Sequence, residues 1–288
     1  MSDNSVIKIR PMNINDLGRA MELSCSEGWN QTGRDWKLLL ENSINTCIVA
    51  EFNGNVIGTA TALNHSNKVA WIGMVIVDKR IRGQGVGKML LADIIDALKS
   101  IDSIKLDATP AGLPLYKKLG FKEEFLIYRM INSSTVNAGR SDSDYEPVSI
   151  DHTSLPEVLE ADRVLFGTDR SYLLRTLFES YPEKAFIIRD SNKLSGYIFG
   201  RDGIRYNYIG PLFAFSSDAA RSLFTKALQS LSGKPVALDV LEDKADFTAW
   251  LESAGFVKQR HFIRMFLKNN SYPGEVKYQF LISGPEFG

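Results

Sequence analysis

The chain has 288 residues, about twice a typical domain of ~150, so two domains are the first expectation. Its 34 Lys and Arg balance its 34 Asp and Glu, which argues against a nucleic-acid or anionic-membrane binder, since those carry a basic excess or a basic tract. Hydrophobic residues at 44% and charged residues at 24% fit a folded soluble protein, and two cysteines, Cys25 and Cys47, are too few for a disulfide framework and suit a reducing cytoplasm.

The opening residues, Met1 to Val6, carry neither a basic nor an apolar targeting region. The longest apolar run, 69–77, falls far short of the ~20 residues a spanning helix needs. A cytoplasmic protein with no membrane partner is expected. Strand-like runs follow at 6–9, 47–51, 56–62, 69–77 and 104–108, with Asn53-Gly54 marking a hairpin between the second and third. Helical periodicity covers 16–23, the region around 36–40, and most strongly 86–100, where Val86, Leu90, Ile94 and Leu98 recur every four residues. A short helix at 113–119 ends on Gly120, suited to a left-handed cap.

Residues 132–146 read NSSTVNAGRSDSDYE, too polar to bury a face, and are expected to be a linker. Beyond them the order repeats, with strands at 148–150, 185–189, 194–200, 206–213 and 236–240 and helices at 155–166, 172–178, 218–231 and 246–254. Local residues repeat too. Gly120-Phe121 and Gly255-Phe256 are each followed by seven residues and an Arg-Met pair, Arg129-Met130 and Arg264-Met265, while Leu106-Asp107 corresponds to Leu238-Asp239. The chain reads as two copies of one mixed α/β fold.

The chemistry concentrates where run 69–77 meets Asp78-Lys79-Arg80-Ile81-Arg82-Gly83-Gln84-Gly85-Val86-Gly87-Lys88. A strand enters a loop with three alternating glycines, and the loop opens into the strongest helix. First-turn N–H groups have no internal partner, and glycines let a phosphate approach them. A Walker loop is excluded by Arg82 at its first glycine and Met89 after Lys88; a dinucleotide fingerprint is excluded by Lys88 at its third glycine.

Arg82-x-x-Gly85-x-Gly87 resembles the acyl-CoA-binding motif of the GNAT (GCN5-related) N-acetyltransferase superfamily. The segment from Leu106 to Phe121, with Leu115-Tyr116 ahead of Gly120-Phe121, resembles that family's later strand and helix. The resemblance covers 6–131 and, more loosely, 147–267. It implies two tandem domains, each a twisted, mostly antiparallel sheet flanked by helices: residues 1–131 binding acetyl-CoA, a linker at 132–146, and a GNAT-like domain at 147–288 lacking the pyrophosphate motif. It also implies that Val75, Ile76 and Val77 hold the pantetheine arm through their backbone. Arg82, Gly83, Gln84, Gly85, Val86, Gly87 and Lys88 would take the pyrophosphate, and Thr109, standing where many members carry Asn, would give one hydroxyl contact. Tyr116 would be the general acid to the thiolate.

Asp107 stands where some members place a base acting through water; a salt-bridged or solvated carboxylate reads equally well. Trp29 and Asn30 either line the acceptor pocket or pack in the core. His65, His152 and His261 are scattered, so no metal is expected. The function implied is acetyl transfer to a primary amine of a small molecule by direct attack in a ternary complex, by a monomer or homodimer. A non-catalytic acyl-CoA sensor and a tandem protein-interaction module are the alternatives.

Overall fold

Asn53 and Gly54 both adopt positive φ, 50° and 75°, and close the hairpin that the sequence marks between β2 (Thr46–Phe52) and β3 (Asn55–His65). The computed structural model describes residues 6–133, 145–231 and 235–288; the central part of the expected linker, 134–144, lies outside them. The first half runs β1 (Lys8–Pro11), α1 (Leu17–Ser26), α2 (Gly33–Glu41), β2, β3, β4 (Val69–Val77), α3 (Val86–Ala97), β5 (Ser103–Ala108), α4 (Leu113–Lys118) and β6 (Lys122–Asn132). The second half runs β7 (Val148–Ser149), α5 (Leu155–Leu165), α6 (Ser171–Ser180), β8 (Phe186–Asp190), β9 (Lys193–Arg201), β10 (Asn207–Ala214), α7 (Ser217–Gln229), β11 (Val236–Leu241), α8 (Ala245–Ser253), β12 (Val257–Lys268) and β13 (Gln279–Leu281).

Strand alternation divides the core between the two sheet faces. In β2, Val49 joins one apolar cluster while Ile48 and Ala50 join another; in β8, Ile187 separates in the same way from Phe186 and Ile188. The cluster holding Val49 and Ile187 also takes the apolar stripes of α1, α2, α5 and α6, so both halves share one core layer. On the other face α3 packs Val86, Leu90 and Ile94 onto Ala50, Ala60 and Ala62. There α7 and α8 pack Leu223, Phe224, Phe247 and Leu251 onto the second half.

Both halves build a single sheet among the described residues, in the order β1-β2-β3-β4-β5-β12-β6-β11-β13-β10-β9-β8-β7. The two copies exchange their last long strands. β12 lies antiparallel between β5 and β6, and β6 lies between β12 and β11. The exchange explains the repeated sequence pattern, because its Arg and Asp residues meet across the copies. In register, Arg264 stands opposite Asp107 and Arg129 opposite Asp239. Arg264 donates from Nε at 2.9 Å and Nη2 at 3.0 Å to Asp107; Arg129 donates from Nε at 2.8 Å and Nη2 at 2.5 Å to Asp239. Both pairs are buried and bidentate, the geometry in which guanidinium and carboxylate interact most strongly.

Candidate active site between two splayed strands

β4 and β5 pair in parallel only from Val69↔Ser103 to Trp71↔Lys105. Beyond that they part, and among the described residues no strand pairs with the facing edges of 72–77 and 106–108. A bulge in β4 produces the divergence. Thr59 pairs with Ile76 and Thr61 with Gly73, so one residue of β3 opposes two of β4, Met74 and Val75. Met74 takes φ +51°, unusual for a residue with a Cβ, and is held by β3: the Thr59 hydroxyl donates to Met74 O at 2.7 Å and the Thr61 hydroxyl to Gly73 O at 3.1 Å.

At its far end β4 passes into the glycine loop. Gly83 and Gly85 both have φ +83°, and Gly85 caps α3 without a side-chain bond. The first α3 hydrogen bond runs from Met89 N to Gly85 O at 3.0 Å, so the N–H groups of Gly85, Val86, Gly87 and Lys88 lack intrahelical acceptors. Arg82, Gly83, Gln84, Gly85 and Lys88 are exposed. Arg82 is anchored from behind, donating from Nε to Val77 O at 3.1 Å and from Nη2 to Glu27 at 2.5 Å.

The open wedge leads into a cleft lined by both halves of the chain. β4 contributes Ile72 to Val75, β5 contributes Leu106 and Asp107, the following turn gives Thr109, and α4 gives Tyr116. Val75 thus faces the cleft; Ile76 and Val77 continue toward the loop and pack into the cores on either side. Tyr116 lies across the turn before α4, where a Cβ on Gly112 would stand 2.9 Å from its ring. It also packs edge-on against Phe121 at 5.9 Å. Burial pushes its phenol up to about 12. The Thr109 hydroxyl accepts from Gly112 N at 3.3 Å, shaping the same turn.

Asp107 is not solvated. Its side chain is fully buried and both oxygens are taken by Arg264, while burial pushes the carboxyl pKa up and Arg264 opposes the rise. Trp29 lines the cleft because α1 ends in a reversal at Gly28, φ +70°: Gly28 N donates to Cys25 O at 2.9 Å and Trp29 N to Ser24 O at 3.0 Å. Asn30 turns away from the cleft. Its Nδ2 donates to Tyr206 O at 2.9 Å, and its Oδ1 accepts from Arg205 N at 2.9 Å and Tyr206 N at 3.0 Å, clamping the second half onto the first. Asn30 is therefore an interdomain anchor in this structure rather than part of the cleft wall.

A further wall comes from residues that the sequence did not mark as part of a site: Arg129 on β6, Arg260 and Phe262 on β12, and Pro285 and Glu286 beyond β13. Strand exchange brings the first three. Glu286 is seated on Gly73, where a Cβ would meet its Cα at 2.8 Å, and it accepts from Arg201 Nη2 at 2.5 Å. The register of the exchanged strands brings Arg260 and Phe262 beside Arg129, and the path of the chain beyond β13 brings Pro285 and Glu286; one sequence reveals neither.

The corresponding wedge of the second copy is closed. β10 and β11 pair in parallel from Asn207↔Val236 to Ile209↔Leu238 and then part as β4 and β5 do. There β13 fills the gap, with Leu281 opposite both Leu212 and Val240. No Arg-x-x-Gly-x-Gly follows β10, and Leu251, four residues before Gly255 as Tyr116 is before Gly120, is buried in the core.

The described residues contain no cluster of His, Cys, Asp and Glu able to hold a metal, and no helix long and apolar enough to cross a membrane. Comparison with known proteins matches residues 14–121 to the acetyltransferase (GNAT) family and residues 158–281 to an acetyltransferase (GNAT) domain. An uncharacterized N-acetyltransferase of Bacillus subtilis is 26% identical over 255 residues, 88% of each chain. The holothin acyltransferase of a Pseudoalteromonas species is 23% identical over 92% of this chain and 90% of its own. The crystal structure of a putative acetyltransferase from Pyrococcus horikoshii shares the fold with a TM-score of 0.81 at 21% identity, covering 100% of this chain and 99% of that one. The chain belongs to the GNAT N-acetyltransferases and carries two GNAT domains in tandem.

Proposed function

We propose that the protein is a cytoplasmic, acetyl-CoA-dependent enzyme that transfers an acetyl group to a primary amine of a small molecule by direct attack in a ternary complex. In this reading residues 1–131 bind acetyl-CoA, while 147–288, joined through 132–146, complete the acceptor side. The observation that carries the reading is the asymmetry of the two wedges: the one that continues into the glycine loop and Tyr116 is open, and the other is filled by β13.

The free edge of Val75, Ile76 and Val77 suits an extended arm lying between the strands, and the N–H groups at the start of α3 suit its phosphates. Arg82 and Lys88 add charge, and Thr109 gives a hydroxyl at the turn. Holding both substrates in one cleft removes much of the entropic cost of a bimolecular step. Tyr116, with a pKa near 12, stays protonated at every working pH. It acts as a hydrogen-bond donor to the departing thiolate rather than by complete proton transfer, since a thiol near ~8.5 is the stronger acid. The proton from the amine leaves through water to Asp107, whose oxygens keep lone pairs beyond those bound by Arg264.

The test is release of free thiol from acetyl-CoA in the presence of a mixed panel of primary amines. Wild-type release should exceed the enzyme-free blank, and Tyr116→Phe should lower it by about 10²–10³-fold, the cost of removing one donor to developing negative charge, while acetyl-CoA binding persists. Binding without release from any amine would leave a sensor, not an enzyme.

A further inference from the structure

β6 and β12 place Arg129 and Arg260 directly opposite one another, and both side chains line the cleft. Like charges so placed destabilise a sheet. Arg129 is compensated by its two hydrogen bonds to Asp239. Arg260 is not. Among the described residues it forms no ion pair or hydrogen bond; its Nε is buried without an acceptor, and its guanidinium stands 5.2 Å from the Phe262 ring centroid. Burial, reinforced by Arg129, holds its pKa below the ordinary value.

The carboxylates that share the cleft are engaged elsewhere, Asp107 by Arg264 and Glu286 by Arg201. Nor does the strand exchange require a cation here. Arg260 lies four residues before Arg264, and the residue four before Arg129 in the first copy is Phe125, which packs against Arg264 at 5.1 Å. A guanidinium half removed from water, beside a second guanidinium and without its own counter-ion, is an unfavourable arrangement unless a ligand supplies the missing charge.

We propose that Arg260 recognises a carboxylate on the acceptor, so that the preferred acceptors are amino acids or related amines bearing a carboxylate. The inference rests on the N-acetyltransferase reading above. A guanidinium fork matches a carboxylate with two parallel hydrogen bonds. One uncompensated positive charge balances a carboxylate, whereas a phosphate monoester brings about −1.5 to −2.

The test compares thiol release from acetyl-CoA with the protein amino acids, their α-amides, and phosphoethanolamine. For the best acceptor, kcat/KM should be at least tenfold higher for the acid than for its amide, although the amide carries the less basic and more readily deprotonated amine. In Arg260→Gln the acid-to-amide ratio should fall toward one, mainly through KM, and Arg260→Lys should retain part of it. The Tm of Arg260→Gln should equal or exceed that of wild type, because no internal bond is lost; a fall in Tm would assign Arg260 a structural role and overturn the proposal. An unchanged ratio, or a preference for amides or phosphoethanolamine, would also overturn it. Calorimetric binding of the N-acetyl amino acids and N-acetyl amides separates this inference from its parent. Carboxylate-dependent binding lost in Arg260→Gln, with no turnover of any amine, would uphold Arg260 recognition and refute the transferase reading. Turnover with no carboxylate preference would do the reverse.

Discussion

Tyr116 and His65 are both titratable groups moved by burial, with opposite consequences for pH dependence. Burial raises the Tyr116 phenol to about 12, so the donor form persists below that pH and any loss of rate between pH 8 and 10 has another origin. The pH–rate profile should therefore show no basic limb removed by Tyr116→Phe. His65 is buried beside Phe166 with Nε2 unpartnered, and burial, helped by nearby Arg170, lowers its pKa to about 3. Above pH ~6.5 the residue is neutral in both folded and unfolded chains and has no effect. As pH falls from there toward 3, only the unfolded chain takes up the proton, and stability drops by about 1.4 kcal/mol per unit. His65→Gln should lose less Tm than wild type between pH 6.5 and 4.5; equal losses would remove His65 from that account. At this scale the sequence was legible where one residue acts through local geometry. Gly28 reverses α1 and sets Trp29 into the cleft, one of the two placements its sequence neighbourhood left open. Asn30, one residue further, serves partners 174 to 176 positions away, which no local pattern encodes.

Elements repeat faithfully between the copies, yet one added strand separates their fates. The helix from Val86 and the strands at 69–77 and 104–108 follow from periodicity and composition, and they appear within a few residues of where these place them. β13 was not legible: its three residues, Gln279 to Leu281, have no alternation long enough to read, and they become a strand only because β10 and β11 leave backbone groups unpaired. Leu281 is fully buried between them. Leu281→Ala should cost about 2–5 kcal/mol, measured by denaturant titration, without opening a second cofactor site. A gain of acetyl-CoA binding in this variant would show that the plug, rather than the missing glycine loop, keeps the second copy empty. The exchanged ion pairs belong to this scale too. Arg129→Met strands Asp239 in a fully buried site, which should cost about 3–5 kcal/mol, and Arg129→Met with Asp239→Leu should recover much of that loss. If the double variant is no better than the single, desolvation is not the source of the cost.

In the whole molecule, reciprocal exchange of β6 and β12 makes each copy incomplete without the other. Sequence comparison divides the chain into two GNAT matches, but the hydrogen-bonded sheet is continuous across them. Residues 6–133 and 145–288, expressed separately, should lack cooperative unfolding transitions; co-expressed, they should co-purify as a 1:1 complex. Independent folding of either fragment would mean that the exchange is dispensable. The repeat of Asp107 with Arg129 and Asp239 with Arg264 was visible in the sequence, but its partners were not: a repeat gives equivalence, whereas pairing across copies depends on strand order. The same exchange brings Arg260 into the cleft that Tyr116 lines, and the segment beyond β13 adds Glu286, so both halves build it. In the function proposed above, this duplicated fold keeps one donor site and has closed the other. Native mass spectrometry with acetyl-CoA, on wild type and Arg82→Ala, tests it most directly. One acetyl-CoA per chain, weakened or lost in Arg82→Ala, is the predicted result; two per chain, or none, would contradict it.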